Sequence, residues 1–541
     1  MKARDLFLQG SVVILVLSMI IWSRLNLEHF QPILEDSLLF FQLIVAGTTI
    51  ALLRNVVGVK TFGVFGPAIV ALGLVKPGLF YGLILYVDIF LVAMLISLLL
   101  HRVNLTSSHR MAIVLTVTAM TITVLELMGE TFHIPLLELT IFFPILITSW
   151  LADRYVMQVT EVDWIEPSKK LAGTIFVIGI SFLVMMWRPF ILFIALNPET
   201  WGLIIVLNIL VALFINLRLM DYVRFRPAIL KLGSGKGILG LSKRNRDYVS
   251  RYNPRNLFPH IRKDRLKRTL HQMDIPAPAT YCIVERKREL SCAEVVMRSV
   301  DNFVIKPSSG FGGEGILVVT RDAKGVFHAK GDTYSVEQIK RHITKILDGQ
   351  YSTDWSDVAL IEQKVETHRT LEGYYSDGVP DIRVIVFEGF PVMSMIRLPT
   401  KESGGSANMH KGAIGMGLKI SNGRGMNPFW RGHGGNISAH PDTGSDLTKL
   451  KISGWKDILE VASKAQAASR MGYVGVDIVL DRGGPMVLEV NKRPGLEIQN
   501  TNLDGLLRRL RFIEERMQDV QFLPVAKKVE LSMEWDGRGW K

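Results

Sequence analysis

Three hard oxygen donors stand close together in the stretch 472–495, GYVGVDIVLDRGGPMVLEVNKRPG. Asp477 lies on one β-rich run, Val474–Leu480. Glu489 and Asn491 lie on or just after a second, Met486–Val490. An Asp-Arg-Gly-Gly turn separates the runs, which predicts a hairpin. Residues two apart on a strand point to one face, so Glu489 and Asn491 face the same way. Two carboxylates and an amide oxygen suit Mg²⁺, or Mn²⁺ in its place, bridging the oxygens of a triphosphate. Three exposed polar residues on an ordinary hairpin are a poor alternative. Both runs are otherwise strongly apolar, so these groups need partners.

A second stretch supplies positive charge and bare backbone. Phe303–Thr320 reads FVIKPSSGFGGEGILVVT: a β-rich run ending in Lys306-Pro307, a loop with Gly310, Gly312, Gly313 and Gly315, then a further β-rich run from Ile316. Such a loop can close its backbone N–H groups around a phosphate, with Lys306 adding charge. Gly310, Gly312 and Gly315 spell G-x-G-x-x-G, but a dinucleotide-binding loop opens into a helix and this one opens into a strand. A protein kinase carries its lysine after the loop, not before it. The order here suits a flap folded over a triphosphate.

Other segments fall around these two. Asp264–Thr280 reads as a basic helix carrying Lys267, a break at Asp274, and an extended Ile-Pro-Ala-Pro. Val358–Glu366 is an apolar strand ending in a polar hinge, Glu362-Gln363-Lys364-Val365, whose backbone could edge an adenine ring. Glu366 or Glu372 could hold ribose hydroxyls, and spacing does not separate them. Asp381–Pro399 suggests two strands around a Glu-Gly-Phe turn, with Arg383 on the first and Arg397 near the end of the second. Two arginines converging on one site would stabilise a transferring phosphoryl group or a substrate carboxylate. Ser403–Gly417, polar and glycine-rich with Asn408, His410 and Lys411, is expected to be a mobile loop over that site.

The elements that carry these residues occupy only the second half of 541 residues. Up to about residue 220 the chain is dominated by long apolar runs. A retained leading helix is expected at Leu6–Trp22, since Arg24 and Asn26 follow instead of a small-residue cleavage site. Further spans are expected near 37–53, 62–75, 78–100, 111–129, 137–153, 171–194 and 201–219, with 62–75 short enough to be broken or re-entrant. Lysines and arginines in alternate loops favour eight spans with both termini and the second half cytoplasmic. Asp88, Glu126 and Arg54 are the ionisable groups placed within spans. Between Arg218 and Arg268 there are 15 Lys/Arg against 3 Asp/Glu, well placed to meet anionic headgroups. No aromatic-rich motif supports nucleic acid as a partner. Two cysteines, Cys282 and Cys292, exclude a disulfide framework and fit a reducing compartment.

In order, these motifs are a lysine, a lysine with a glycine loop, a hinge, D-x-R, an arginine, an asparagine loop, and Asp…Glu-x-Asn. The set resembles the ATP-grasp superfamily, and within it the RimK-type α-L-glutamate ligases, over roughly Leu230–Gln521. The resemblance implies two α+β lobes holding ATP between them and carboxylate–amine ligation through an acylphosphate. It implies that Lys267 and Lys306 contact ATP together with Gly310, Gly312, Gly313 and Gly315. Glu362, Lys364 and Val365 would form the adenine hinge, with Glu366 beside it. Arg383 and Arg397 would face phosphates and the acylphosphate. Asp477, Glu489 and Asn491 would hold Mg²⁺. Asn408 matches the asparagine of an R-x-N-x-H-x-G-G loop. Here that loop reads S-A-N-M-H-K-G-A, with Lys411 before the glycine and no arginine before Asn408, which leaves the acceptor undefined.

The TFGVFGP stretch at 61–67, the ALGLVKPGLFYG that follows and FFPILITSWLADRY at 142–155 are similar to a bacterial seven-helix membrane domain usually fused to an inactive transglutaminase-like domain. The expected architecture is therefore multidomain, a polytopic α-helical membrane domain followed by an α+β ATP-grasp domain. Its parts are a leading helix at 1–35, seven helices at 36–220, a basic juxtamembrane linker at 221–263, a ligase domain at 264–525 and a tail at 526–541. The expected function is a ligase anchored in the bacterial inner membrane. It would join an amino acid or peptide carboxylate to an amine, with glutamate or a related amino acid added, and a membrane-protein partner is compatible with this. The alternatives are a transporter or flippase with a cytoplasmic nucleotide-binding domain, and a non-catalytic ATP-binding scaffold.

Overall fold

Apolar runs that cannot bond their backbone to water must close their hydrogen bonds internally, and among the described residues the apolar runs before residue 220 do so as helices. The computed structural model describes all residues except 1–2, 27–33, 76, 102–106, 133–141, 162–163, 311–312, 330, 353–355, 376–377, 432, 434 and 541. The chain divides into two units, Met1–Met220 and Asp221–Lys541.

Four stretches within the first unit are helical, long and apolar enough to cross a bilayer, Leu38–Val57, Leu79–Leu100, His109–Thr131 and Glu166–Met186; a fifth, Glu199–Arg224, runs past the end of the unit and is helical over Glu199–Phe214 and Leu219–Arg224. A shorter apolar helix covers Ser11–Leu25. The expectation of eight spans is met only in part among the described residues. The 62–75 segment forms a helix over Phe65–Gly73, nine residues long. At 1.5 Å per residue it is about 14 Å long, under half of a ~30 Å hydrocarbon core. It is packed inside, with Ala68, Ile69, Val70 and Ala71 buried. The expected span 171–194 is two helices, Ile165–Met186 and Arg188–Leu196. Pro189 has no N–H for the ladder, so the helix stops at Trp187 and restarts. The start of the expected 137–153 span lies outside the described residues, and its remainder belongs to the helix Phe142–Glu161.

The ionisable side chains buried in this unit are not the ones the sequence singles out. Asp88 and Glu126 are exposed on helix surfaces, and Arg54 is half-buried. Arg110 and Asp153 are buried instead. Arg110 Nε donates to Asp153 Oδ1 at 3.0 Å, and Ser97 Oγ donates to the same oxygen at 2.6 Å. The three residues join three helices.

The second unit is built on two antiparallel sheets. The first runs through β1 Thr280–Val284, β2 Asn302–Pro307, β3 Leu317–Arg321, β4 Phe327–Ala329, β5 Asp332–Tyr334 and β6 Ala359–Gln363, in spatial order β1-β6-β2-β3-β4-β5. Helices Leu290–Ser299 and Val336–Leu347 cover it over a core that includes Phe303, Ile305, Val319, Ile339 and Ile361. Cys282 on β1 and Cys292 on the first of these helices form a disulfide, a single bridge and not a framework, which departs from the reducing compartment that the low cysteine count fits.

The second sheet runs through β7 Asp381–Phe387, β8 Phe390–Leu398, β9 Ile414–Leu418, β10 Gly425–Trp430, β11 Gly435–Asn436, β12 Tyr473–Asp481 and β13 Gly484–Asn491, in order β11-β10-β9-β8-β7-β12-β13. The helix Trp455–Ser469 packs on it, sharing a core with Val384, Ile396, Ile414, Val476 and Ile478. One expectation is overturned here. Ser403–Gly417 is not all loop, because Ile414–Leu418 is a fully buried inner strand. Its glycines answer to packing: a Cβ on Gly417 would lie 2.4 Å from the carbonyl oxygen of Thr501, in the helix Ile498–Asn502 laid against the strand. Residues 526–541 contain most of the helix Val525–Gly537, whose Asp536 accepts from the Ser421 N–H at 2.8 Å and pairs with Arg509.

Removing one partner of a buried ion pair strands the other charge, at a cost of about 3–5 kcal/mol. Asp153→Leu is therefore expected to lower the thermal midpoint of the detergent-solubilised chain sharply. Arg110→Met combined with it should recover most of the loss. A single variant that melts like wild type would contradict the structural role of the pair.

Candidate functional site

Strand register assembles one end of the second sheet. Asp381 faces Arg397 across β7 and β8. Arg383, two residues on, faces Asp477 across β7 and β12. Asp477 in turn faces Glu489, and Gly475 faces Asn491, across β12 and β13. Residues two apart on a strand share a face, so all six side chains gather on one surface. The ladder then slips between Asp477 and Ile478, a bulge of the kind that re-aims side chains beside a site.

Asp477 is the centre of this group. Arg383 Nε and Nη2 donate to its two oxygens at 2.7 and 2.6 Å. Arg397 Nη2 donates to Oδ2 at 2.9 Å and also grips Asp381 with a two-pronged contact. Burial alone would raise the Asp477 carboxyl, but Arg383 and Arg397 outweigh it and hold the group far below the usual carboxylate range. Asp381 moves the other way, pushed up by burial and by the charge on Asp477 despite Arg397.

The metal-type donors come together as the sequence expects. Asn491 Nδ2 donates to Asp477 Oδ2 at 3.2 Å and to Glu489 Oε1 at 3.0 Å. Asp477 is buried, whereas the Glu489 side chain is 33% exposed, so one side of the set is open. Among the described residues no three His, Cys, Asp or Glu side chains cluster as a metal site; here the third donor is an amide. Turning that amide would present its oxygen between two carboxylates, and the donor set then fits a hard divalent cation. The hairpin is clamped from outside by Asn253. Its Nδ2 donates to the carbonyls of Tyr473 and Lys492, and its Oδ1 accepts from the Tyr473 N–H.

A second charge cluster lies on the first sheet. Lys306 Nζ is 2.7 Å from Glu362 Oε2, and Lys267 Nζ is 3.6 Å from the same oxygen. Lys267 is 1% exposed and also donates to the carbonyls of Pro278 and Val487 at 3.5 Å. Burial, then the neighbouring Lys306, lowers the Lys267 ammonium to about 7 in spite of Glu362. Burial opposes ionisation of Glu362, yet both lysines outweigh it and hold the carboxyl below its ordinary value. Its Oε1 is buried with no hydrogen-bond partner. The polar hinge starts later than expected. Glu362 and Gln363 belong to β6, where Glu362 pairs with Thr280 and Val304, and the ladder ends before the half-buried Lys364 and Val365. Glu366 is exposed and pairs with Arg482. Glu372 is also exposed.

The glycine loop between β2 and β3 is tethered at several points. Ser308 Oγ donates to Asp264 Oδ1 at 2.5 Å, and the Ser309 N–H donates to Asp357. Lys263 Nζ donates to the Gly310 carbonyl at 2.8 Å and lies 3.5 Å from Glu489 Oε2. Gly313 and Gly315 take positive φ of 84° and 72°, a backbone that favours glycine. Gly312 lies outside the described residues. Glu314 pairs with Lys411 at 2.9 Å, which joins the loop to the Asn408 segment. Asn408 caps the short helical turn Met409–Lys411 by accepting the His410 N–H.

Lys263, Asp264, Asp357 and Glu314 were not picked out from sequence, and Asp381 entered only as the first letter of D-x-R, without a role of its own. Lys263 sits one helical turn before Lys267 on Lys263–Gln272, and that i,i+4 spacing was the available signal. Asp381 stands two residues before Arg383, on the same strand face.

A family model described as sugar-transfer associated ATP-grasp matches residues 243–515. A second, described as 7 transmembrane helices usually fused to an inactive transglutaminase, matches residues 12–229. No curated protein matches the chain. Among solved structures, the chain is similar to the ATP-grasp ligase PsnB complexed with minimal precursor, at 13% identity and TM-score 0.27, covering 52% of this chain and 63% of that one. It is also similar to a D-alanine–D-alanine ligase from Bacillus anthracis, at 15% identity and TM-score 0.27, covering 52% of this chain and 68% of that one. A third is the D-cycloserine synthetase DcsG, at 16% identity and TM-score 0.29, covering 49% and 73%. The chain thus spans under two thirds of the length of PsnB.

Lys267 generates a pH dependence. Between about pH 7 and its ordinary value of 10.5 the folded chain binds fewer protons at this group than the unfolded chain does. Stability therefore rises with pH across that window. Lys267→Met is expected to flatten the rise in melting midpoint measured upward from about pH 7. A variant that keeps the wild-type slope would contradict the assignment.

Proposed function

The chain belongs to the sugar-transfer associated ATP-grasp family, and from that premise we propose that it is a membrane-anchored, ATP-dependent carboxylate–amine ligase related to the RimK-type enzymes. The observation that carries this reading is the row Arg397–Asp381, Arg383–Asp477–Glu489 with Asn491 beside it. It puts fixed cations next to a hard-oxygen donor set, which is what transfer of a phosphoryl group to a carboxylate requires.

A carboxylate is a poor electrophile at neutral pH. Attack of its oxygen on the γ-phosphorus breaks the bond to ADP and leaves an acylphosphate, whose phosphate is a good leaving group. An amine then attacks the acyl carbon, forming the amide and releasing inorganic phosphate and the amine proton. Arg383 and Arg397, locked in place by Asp477 and Asp381, offer guanidinium charge to the carboxylate and the phosphoryl oxygens without having to reorganise. Lys306 and Lys263 stand where β/γ-phosphates under the glycine loop would be neutralised, and Lys267 supports Lys306 through Glu362. The buried Glu362 Oε1 is an unfilled acceptor that an adenine amino group would satisfy. Asp477, Glu489 and Asn491 would hold Mg²⁺, which when bound balances triphosphate charge. The Lys411–Glu314 contact holds the glycine loop against the Asn408 segment, an arrangement suited to keeping water from the acylphosphate. Lys411 and Asn408 are then well placed to meet the incoming amine substrate, an amino acid or a peptide; glutamate is the first to try.

Purified chain in detergent is expected to release ADP from ATP only when a carboxylate, an amine and Mg²⁺ are all present. Asp477→Ala with Glu489→Ala should abolish this. Arg397→Met should reduce turnover by about two to three orders of magnitude, a typical loss for one fixed transition-state donor. Wild-type turnover in the double alanine variant would overturn the metal assignment. ATP binding without turnover on any amine and carboxylate pair would favour a scaffold instead.

A further inference from the structure

The turn joining β9 to β10 carries a feature that the ligase reading does not use. Arg424, at the end of this turn, pairs with Lys451 through an isolated antiparallel bridge. Directly opposed residues of an antiparallel pair send their side chains to one face about 5 Å apart, and like charges placed that way repel. With Asn422, Thr448 and Lys449 they line a groove of about 470 Å³. Among the described residues its charges are offset at one point only, where Lys449 Nζ lies 3.4 Å from Asp446. Arg424 and Lys451 are exposed.

The polar groups at the groove are arranged to donate. Asn422 Oδ1 already accepts the Arg424 N–H at 3.0 Å, which leaves its amide N–H₂ for a ligand. The Thr448 hydroxyl is committed to Asp446 at 2.6 Å. What remains is a guanidinium fork, the Lys451 ammonium and an amide donor around one open groove, with the Lys449 ammonium shared with Asp446. A planar carboxylate would use few of these donors, whereas a phosphate presents more oxygens and up to two charges. The groove also lies away from the nucleotide-type cluster. Arg397 faces Gly415 near the start of β9, while Arg424 lies beyond the end of the strand, past Leu418.

We propose that this groove is a second anion site, binding a phosphate-bearing ligand apart from the site assigned to ATP. The shared chemistry is a phosphate ester, which a phospholipid headgroup or a soluble phosphorylated molecule would supply equally. Filling the groove relieves the Arg424–Lys451 repulsion, so the ligand stabilises the fold.

The test uses the full chain in lipid nanodiscs with saturating Mg–ADP to occupy the nucleotide site. Inorganic phosphate is the probe, titrated against chloride of equal ionic strength. The wild-type melting midpoint is expected to rise with phosphate. Arg424→Gln with Lys451→Gln should start from a higher midpoint, because the repulsion is gone, and should need about tenfold more phosphate or beyond for the same gain. Arg424→Gln alone should fall between the two. In phosphatidylglycerol nanodiscs a lipid ligand would compete and shift the wild-type titration to higher phosphate. A soluble ligand leaves it where it stands in phosphatidylcholine. Equal phosphate responses in the wild type and the double variant would overturn the proposal.

Discussion

A carboxylate with 2% of its surface exposed must be compensated on every side, and Asp477 is compensated by two arginines drawn from two other strands. This sets the rest of the site. Arg383 reaches Asp477 only if β7 and β12 are in the observed register. Arg397 reaches both Asp477 and Asp381 only if β8 is in register with β7. A slip of one residue would turn each side chain to the opposite face of the sheet, burying charges without partners. The electrostatics and the strand alignment therefore enforce each other. The donors that are left over, Glu489 and Asn491, face the open side.

The same logic runs through the first sheet on a smaller scale. Glu362 is buried between Lys306 and Lys267, and each lysine is tolerable there because the carboxylate is ionised. Lys263 connects the two sheets' chemistry, touching the glycine loop through Gly310 and approaching the donor set through Glu489. The loop is thus not a free flap. Asp264 and Asp357 fix its entry, and the half-exposed Lys411–Glu314 pair holds its far side. An ion pair this exposed is worth at most about 1 kcal/mol, a contact easily exchanged as substrates come and go.

Much of this was legible in the residues. The hairpin at 474–491 and the strands around Glu388-Gly389 follow from alternating apolar runs and turn residues, and Glu388 and Gly389 take the positive φ such a two-residue turn needs. What sequence could not show was pairing between distant strands. Asp381 reads as an ordinary strand start until β8 is laid beside it. Lys263 and Lys267 are indistinguishable as letters, and only the helix direction separates the buried one from the one that reaches the loop. The strand Ile414–Leu418 reads as loop because its glycines, needed for the close approach of Ile498–Asn502, look like turn residues. In the apolar half, composition identified helices but not depth. Asp88 and Glu126 drew attention because they interrupt apolar runs, while the buried pair Arg110–Asp153 falls at the edges of the apolar runs expected at 111–129 and 137–153, where charge looks unremarkable.

Asp477 and the five side chains gathered with it, Asp381, Arg383, Arg397, Glu489 and Asn491, must form one ligand site. The most direct measurement is anomalous scattering from a crystal of the chain grown with Mn²⁺ and ADP. A Mn²⁺ peak bounded by side-chain oxygens of Glu489, Asn491 and Asp477, with the ADP phosphates under the glycine loop, is the predicted result. A metal–nucleotide peak elsewhere, with Asp477 still fully engaged by Arg383 and Arg397 and Glu489 untouched, would contradict it.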